Sequence, residues 1–435
     1  MVEGIVFTGL LCFELSFASQ LISNSPTPPI VIKNSILIFA GRASNALFVF
    51  LLAWVVSRQL GPAMFGLFSF LTTVVVSASC FSSLGLDVWM VREITKAPEK
   101  AKQFLSTILG LKVGTSLVTI ALVFFIFRAT DLPESTLKLL GILSISLIFN
   151  SVSQTLWHYG DCFRDFIYHS FLWAASNIIK SLTGIVLVLL FRDLEILVIG
   201  IVFAEALALV LSIYVVQKKY GKFVPRFQFL SGWSFLKQSA PIGMGVIFSV
   251  LYFRLDTVML QLMTDERTVG FYNAAYKLFE LVVVLPHSLM IVLFPRLVEE
   301  FHNEKEKFKV SLKKALVVFV GAGTLIALVF FYFSFETISL IYGNDFLFSG
   351  EVLKILATAM VLSFLIFLLS NVLIVSGQEQ ANTRILVGAT LLNIFLNLLW
   401  IPEHGAIGAA WSTVACEIAL VIVLCFQSGK ILKSS

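Results

Sequence analysis

The 435-residue chain is 58% hydrophobic and only 13% charged, with a mean hydropathy of +0.95. Soluble domains average roughly 45–50% apolar and 25% charged residues, so a soluble globular protein is excluded and an integral membrane protein remains. The formal net charge of +5 is no sign of nucleic-acid binding, because most basic residues sit in short segments between apolar runs.

Residues 1–22 are apolar but open on Met-Val-Glu, without the basic residues that precede the apolar core of a signal peptide. The sequence NSPTPP at 24–29 then breaks any helix. Residues 1–30 are set aside as an N-terminal extension: either an extra helix or a stretch upstream of the functional start.

A membrane helix needs about 20 apolar residues. Twelve runs meet that measure: 34–57, 64–87, 104–127, 137–157, 169–191, 194–216, 239–262, 270–294, 315–334, 351–376, 383–400 and 406–427. The predicted fold is therefore an all-α membrane protein of about twelve transmembrane helices. The first pair of runs is joined by VSRQLGPAMFGLFSF at 56–70, where Gly61 permits positive φ and Pro62 suits the first turn of a new helix. About two hundred residues later DERTVGFYNAAYKLF repeats the pattern, so each half opens with a tight hairpin and adds four more runs. This divides the chain into an N-lobe over 31–216, a linker over 217–238 and a C-lobe over 239–435. The linker mixes basic and aromatic residues and reads either as an interfacial helix or as a solvated connection. Breaks are expected at 131–133 and at Ile401-Pro402.

With the start of the first helix inside, the inner segments collect clusters such as Arg92, Lys96, Lys100 and Lys102, or Lys305, Lys307, Lys309, Lys313 and Lys314. The outer segments hold only Arg58, Arg128, Lys138, Arg192, Arg267 and Lys354. This positive-inside bias places both termini in the cytoplasm.

Ionisable residues within a membrane helix face a cavity or each other. Arg42 lies about 12 Å into the first helix and shares a face with Asn45. It either snorkels to the inner headgroups or lines a cavity, and the cost of a lipid-facing arginine favours the cavity. In the seventh run, Arg254 and Asp256 are two apart and so diverge in direction. Asp256 reads as a coupling-ion carboxylate or as a partner for an arginine elsewhere. The eighth run is the most informative: Asn273, Lys277, Glu280 and His287 form one polar stripe in an apolar helix, beside Pro286. Such a stripe lines a water-filled path more often than it glues helices.

Lys112, Lys180, Glu205 and Glu417 each stand alone on their helices. Thr390, Asn393 and Asn397 read as interhelical packing. His158, His169, His302 and His404 show no metal or catalytic spacing, and neither do Cys12, Cys80, Cys162, Cys416 and Cys425, so no metal and no cofactor are expected. There is no Walker A motif, no HExxH and no GxSxG, and the longest outer segment, 335–350, carries only Glu336 and Asp345 as acids. A transporter fits better than an enzyme.

Several segments carry a family likeness. SRQLGPAMFGLFSF and LGLDVWMVREI in the first half, and LYFRLDTVML, VGFYNAAYKL, LFPRL, IYGNDF, SGQEQANTR and GAIGAAWSTV in the second, resemble polysaccharide-biosynthesis flippases of the Wzx type. These belong to the multidrug/oligosaccharidyl-lipid/polysaccharide exporter superfamily. The likeness runs from about residue 34 to 427. It implies two pseudo-symmetric six-helix lobes around a central cavity, working by alternating access. It also implies an inner-membrane flippase for an undecaprenyl-pyrophosphate-linked oligosaccharide, with the bilayer and other polysaccharide-assembly membrane proteins as surroundings. Arg42 and Lys277 match positions where such relatives place basic residues, with Arg254 a further candidate. Asp256, Glu280 and Glu417 are the acidic candidates for ion coupling. A multidrug antiporter of the same superfamily is the nearest rival and is expected to show an acidic cavity. A peptidoglycan-precursor flippase usually has two further helices, and a membrane glycosyltransferase or ligase is disfavoured by the short outer loops.

Overall fold

The structure is a computed structural model. It describes residues 28–163, 165–226 and 229–434, without the side chains of 28–43, 229–231, 291–292 and 433–434. The extension expected over residues 1–30 lies outside the described residues up to position 27. Among the described residues every regular element is a helix. Hydrocarbon demands this, because each backbone N–H and C=O must be satisfied within its own segment.

Helix α1 (Pro28–Ser83) contains the first hairpin, and Gly61, at φ 76° and ψ 179°, is its non-helical residue. Then follow α2 (Leu86–Lys96), α3 (Ala101–Arg128), α4 (Glu134–Ser144), α5 (Ser146–Asp161), α6 (Phe166–Phe191) and α7 (Leu194–Tyr220). The second half comprises α8 (Phe229–Met263), α9 (Glu266–Asn303), α10 (Lys305–Tyr332), the short α11 (Ser334–Ile341), α12 (Ser349–Val375) and α13 (Glu379–Ser434).

Ten stretches among the described residues are long and apolar enough to cross a membrane. Two of them, Ser44–Lys96 and Glu379–Leu432, run to 53 and 54 residues. As one straight helix at 1.5 Å per residue each would be about 80 Å long, against a hydrocarbon core of about 30 Å. Neither is straight: Ser44–Lys96 is interrupted at Gly61 and at Leu84-Gly85, and Glu379–Leu432 at Gly405, all at positive φ. The break expected at Ile401-Pro402 therefore falls a few residues later. Proline's fixed φ stays compatible with the helix, and the left-handed residue is Gly405, at φ 53°. The second hairpin, between α8 and α9, turns differently. Asp265 caps α9 by accepting a 2.7 Å hydrogen bond from the Thr268 amide.

The chain forms two compact units, one ending at Val250 and the other beginning at Leu251, a boundary inside α8. In the first unit the approach of α2 to α8 depends on glycine. Gly85 sits at φ 74°, and a Cβ there would lie 2.6 Å from the Gly243 amide nitrogen and 2.8 Å from the Ser239 carbonyl. The aromatic linker sequence is drawn into the same packing. Residues 221–226 are non-helical, the Arg226 amide donates to the Ser106 carbonyl at 2.8 Å, and Phe235 of α8 packs on Trp89 with ring centroids 4.6 Å apart.

In the second unit, α10 buries Phe308, Leu312, Ala315, Phe319, Gly323 and Ala327 along one stripe and exposes Val317, Val318, Leu325 and Leu328. Small residues matter here because lipid tails remove the hydrophobic drive between helices and leave close van der Waals contact in its place. A Cβ on Gly323 would lie 3.2 Å from the Phe364 ring of α12. The exposed aliphatic and aromatic residues of both units suit lipid contact.

Candidate functional site

The polar stripe of α9 meets α8 within the second unit. Glu280 is fully buried, and both of its oxygens are engaged: Oε1 lies 2.6 Å from Arg254 Nη2 and Oε2 lies 2.8 Å from Lys277 Nζ. Arg254 is 4% exposed and Lys277 is 12% exposed. Two cations on one carboxylate leave a formal surplus of one positive charge, in surroundings where the low effective dielectric strengthens charge–charge interactions. Tyr276, one residue before Lys277, donates a 3.0 Å hydrogen bond to the Phe253 carbonyl and fixes the backbone beside Arg254.

Asp256 forms a separate centre, as its spacing from Arg254 predicts. It accepts hydrogen bonds from Tyr272 Oη (2.7 Å), Asn397 Nδ2 (2.6 Å) and Thr413 Oγ1 (3.1 Å). Its described partners are neutral donors from α9 and both arms of α13, and no arginine is among them. Of the two readings of Asp256, the partner for an arginine elsewhere finds no such arginine among the described residues, and Arg254 is held by Glu280. Asn397 also donates to Asn393 Oδ1 at 3.0 Å, so the asparagine stripe read as packing also serves this carboxylate.

The remaining stripe residues go elsewhere. Asn273 accepts from Thr257 Oγ1 at 3.2 Å, and His287 sits edge-on to Phe367 with centroids 6.2 Å apart. Glu417 accepts a 2.6 Å hydrogen bond from Ser363 Oγ. The helix continues through Pro286. In the first unit Asn45 is buried on α1, whereas the side chain of Arg42 lies outside the described residues.

The lone charges of the first unit acquire partners that the sequence alone did not identify. Lys112 of α3 is fully buried and donates to Asp87 Oδ2 of α2 at 2.6 Å; Thr155 Oγ1 donates to Asp87 Oδ1, also at 2.6 Å. Lys180 pairs with Glu205 at 2.7 Å. The histidines need a larger correction. His158 and His169, which showed no metal spacing, both place Nδ1 against Asp161 Oδ2, at 2.9 and 2.6 Å. His158 and Asp161 are one helical turn apart on α5, a legible pair, but His169 belongs to α6 and only the fold adds it.

Comparison with known proteins now becomes decisive. The model of a family described as "Polysaccharide biosynthesis protein" matches residues 31–301, and a second, "MatE", matches residues 241–399. The chain belongs to the polysaccharide biosynthesis protein family. Among its relatives is the Haloferax volcanii protein "Probable low-salt glycan biosynthesis flippase Agl15", 22% identical over 406 residues, spanning 90% of this chain and 82% of that protein. The Staphylococcus aureus "Capsular polysaccharide biosynthesis protein CapF" is 19% identical over 90% of this chain and 98% of its own length. In fold, the chain is similar to the inward closed conformation of the lipid II flippase MurJ, with a TM-score of 0.72, 19% identity and coverage of 91% and 87% of the two chains. Taken with the many apolar helices, these findings establish a multi-pass integral membrane protein of this family.

Proposed function

We propose that the protein is a flippase that moves an undecaprenyl-pyrophosphate-linked oligosaccharide from the cytoplasmic to the outer leaflet by alternating access, for O-antigen, capsule or exopolysaccharide synthesis. The observation that carries this reading is the surplus cation of the Arg254–Glu280–Lys277 group. A pyrophosphate oxygen competes with Glu280 for the two cations. Arg254 offers a planar fork that suits phosphate, and Lys277 offers a point charge. The headgroup is thereby held while the polyprenyl tail stays in the bilayer.

Arg42, Asn45, Asn273 and His287 are proposed to extend the substrate-binding set. Asp256, Glu280 and Glu417 are the proposed acidic groups for ion coupling. Of these, Glu417, with a single hydroxyl partner among the described residues, has the fewest groups compensating its charge there. On this reading the stretches Ser44–Lys96 and Glu379–Leu432 each supply two crossings, the lobes are 31–216 and 239–435, and both termini face the cytoplasm of the inner membrane. The function is transport, with no catalytic residue.

The MatE match over 241–399 fits, only loosely, one alternative, an ion-coupled multidrug antiporter. Leaflet assignment of the lipid-linked glycan in a deletion strain separates the two. The flippase reading expects glycan trapped on the cytoplasmic face and released by the wild-type gene. Glycan exposed normally outside, together with new drug sensitivity, supports the antiporter.

A further inference from the structure

The turn between α5 and α6 carries a group of side chains that the transport site does not use. His158, Asp161 and His169 each offer one ligand atom, and these atoms all lie within 4.8 Å of one another. The two imidazole rings stand edge to face with centroids 4.5 Å apart, both Nδ1 atoms on the same carboxylate oxygen. Asp161 is 7% exposed, and its other oxygen, Oδ1, has no hydrogen-bond partner among the described residues. A buried carboxylate with an idle oxygen beside two half-buried imidazoles has more coordinating capacity than its hydrogen bonds consume.

We propose that His158, Asp161 and His169 form a binding site for a divalent transition cation of the zinc class, which ties the end of α5 to the start of α6. Two imidazole nitrogens and one carboxylate oxygen are borderline ligands that suit zinc better than magnesium or calcium, which favour sets of oxygens. Tetrahedral zinc with bonds of about 2.0–2.2 Å holds its ligand atoms about 3.3 Å apart. The observed 2.6 and 2.9 Å contacts therefore open by about half an ångström as the cation replaces the shared protons. Three protein ligands leave a fourth position for water. His158 and Asp161 lie one helical turn apart on α5, so small side-chain adjustments open their contact, and a small shift of His169 on α6 completes the site.

The test uses the full chain purified in detergent without a histidine tag, with Zn2+ and Co2+ as probes. After equilibration with Zn2+ and removal of the free ion, metal analysis is expected to find one zinc per chain. His169→Ala and Asp161→Asn are expected to lose it, while the exposed-site variant His302→Ala keeps it. Co2+ is expected to give the visible bands of a tetrahedral nitrogen–oxygen site, displaced by Zn2+. Should the variants fail to fold, wild type still decides the question: zinc is expected to protect His158 and His169, but not His302 and His404, from histidine acylation mapped by mass spectrometry. Wild type holding no more zinc than His169→Ala, or equal acylation with and without zinc, overturns the proposal and leaves a hydrogen-bonded His–Asp–His cluster.

Discussion

The two units bury charge in opposite ways. In the first, Lys112 and Asp87 are sealed, at 0% and 6% side-chain exposure, with one cation to one carboxylate and with Ser83 and Thr155 hydroxyls on the same carboxylate. In the second, Glu280 faces two cations, and Lys277 keeps 12% of its surface open. A balanced, closed pair has no capacity left for a ligand and serves to hold helices together. An unbalanced and partly open group can exchange its internal carboxylate for an external anion. Buried charge alone therefore does not mark a site; the balance of charge and access to it do.

Substitutions that remove the imbalance without stranding a charge break this comparison most sharply. Lys277→Met leaves Arg254 and Glu280 as a balanced pair and is expected to give a folded protein whose glycan transport falls at least tenfold. Asp87→Asn with Lys112→Met is expected to fold and to keep most of its transport. Complementation of a deletion strain, normalised to protein in the membrane, reads both.

Other single substitutions come next. Asp87→Asn alone strands Lys112 without its counter-charge and is expected to cost roughly 3–5 kcal/mol, seen as a lower melting temperature in detergent. Asp256→Asn tests whether that carboxylate is more than a hub for donors. The amide keeps one acceptor oxygen for Tyr272, Asn397 and Thr413, so a moderate loss of stability is expected. A larger fall in transport, with loss of its dependence on the ion gradient, would assign Asp256 to coupling. The smallest effect belongs to the exposed Lys138–Glu195 pair: Lys138→Ala is expected to change stability by less than about 0.5 kcal/mol and to leave transport unchanged.

Much of this architecture was legible in the sequence because membrane helices declare themselves by apolar length, and the ends of most runs fall within a few residues of the observed helices. Gly61 was readable as a hinge because positive φ is a property of the residue itself. The break expected at Ile401-Pro402 falls at Gly405, because proline's φ is compatible with the helix and glycine alone takes the positive φ readily. The α9 stripe was visible as a helical period, and Lys277 with Glu280 follows from it directly. Arg254 as their third member was not, since nothing local says which way a side chain on α8 turns. Asp87, Thr413 and His169 escaped for the same reason: their partners lie on other helices, 25 to 157 residues away along the chain for Lys112–Asp87 and Thr413–Asp256.

The most direct test of the account is binding of a radiolabelled polyprenyl pyrophosphate to purified protein, measured for wild type, Lys277→Met and Asp87→Asn/Lys112→Met at increasing salt. The account predicts that wild type and Asp87→Asn/Lys112→Met bind alike, and that Lys277→Met, which keeps only the balanced Arg254–Glu280 pair, binds at least tenfold more weakly with a shallower salt dependence. Equal binding by all three proteins would contradict the claim that the surplus cation beside Glu280 holds the headgroup.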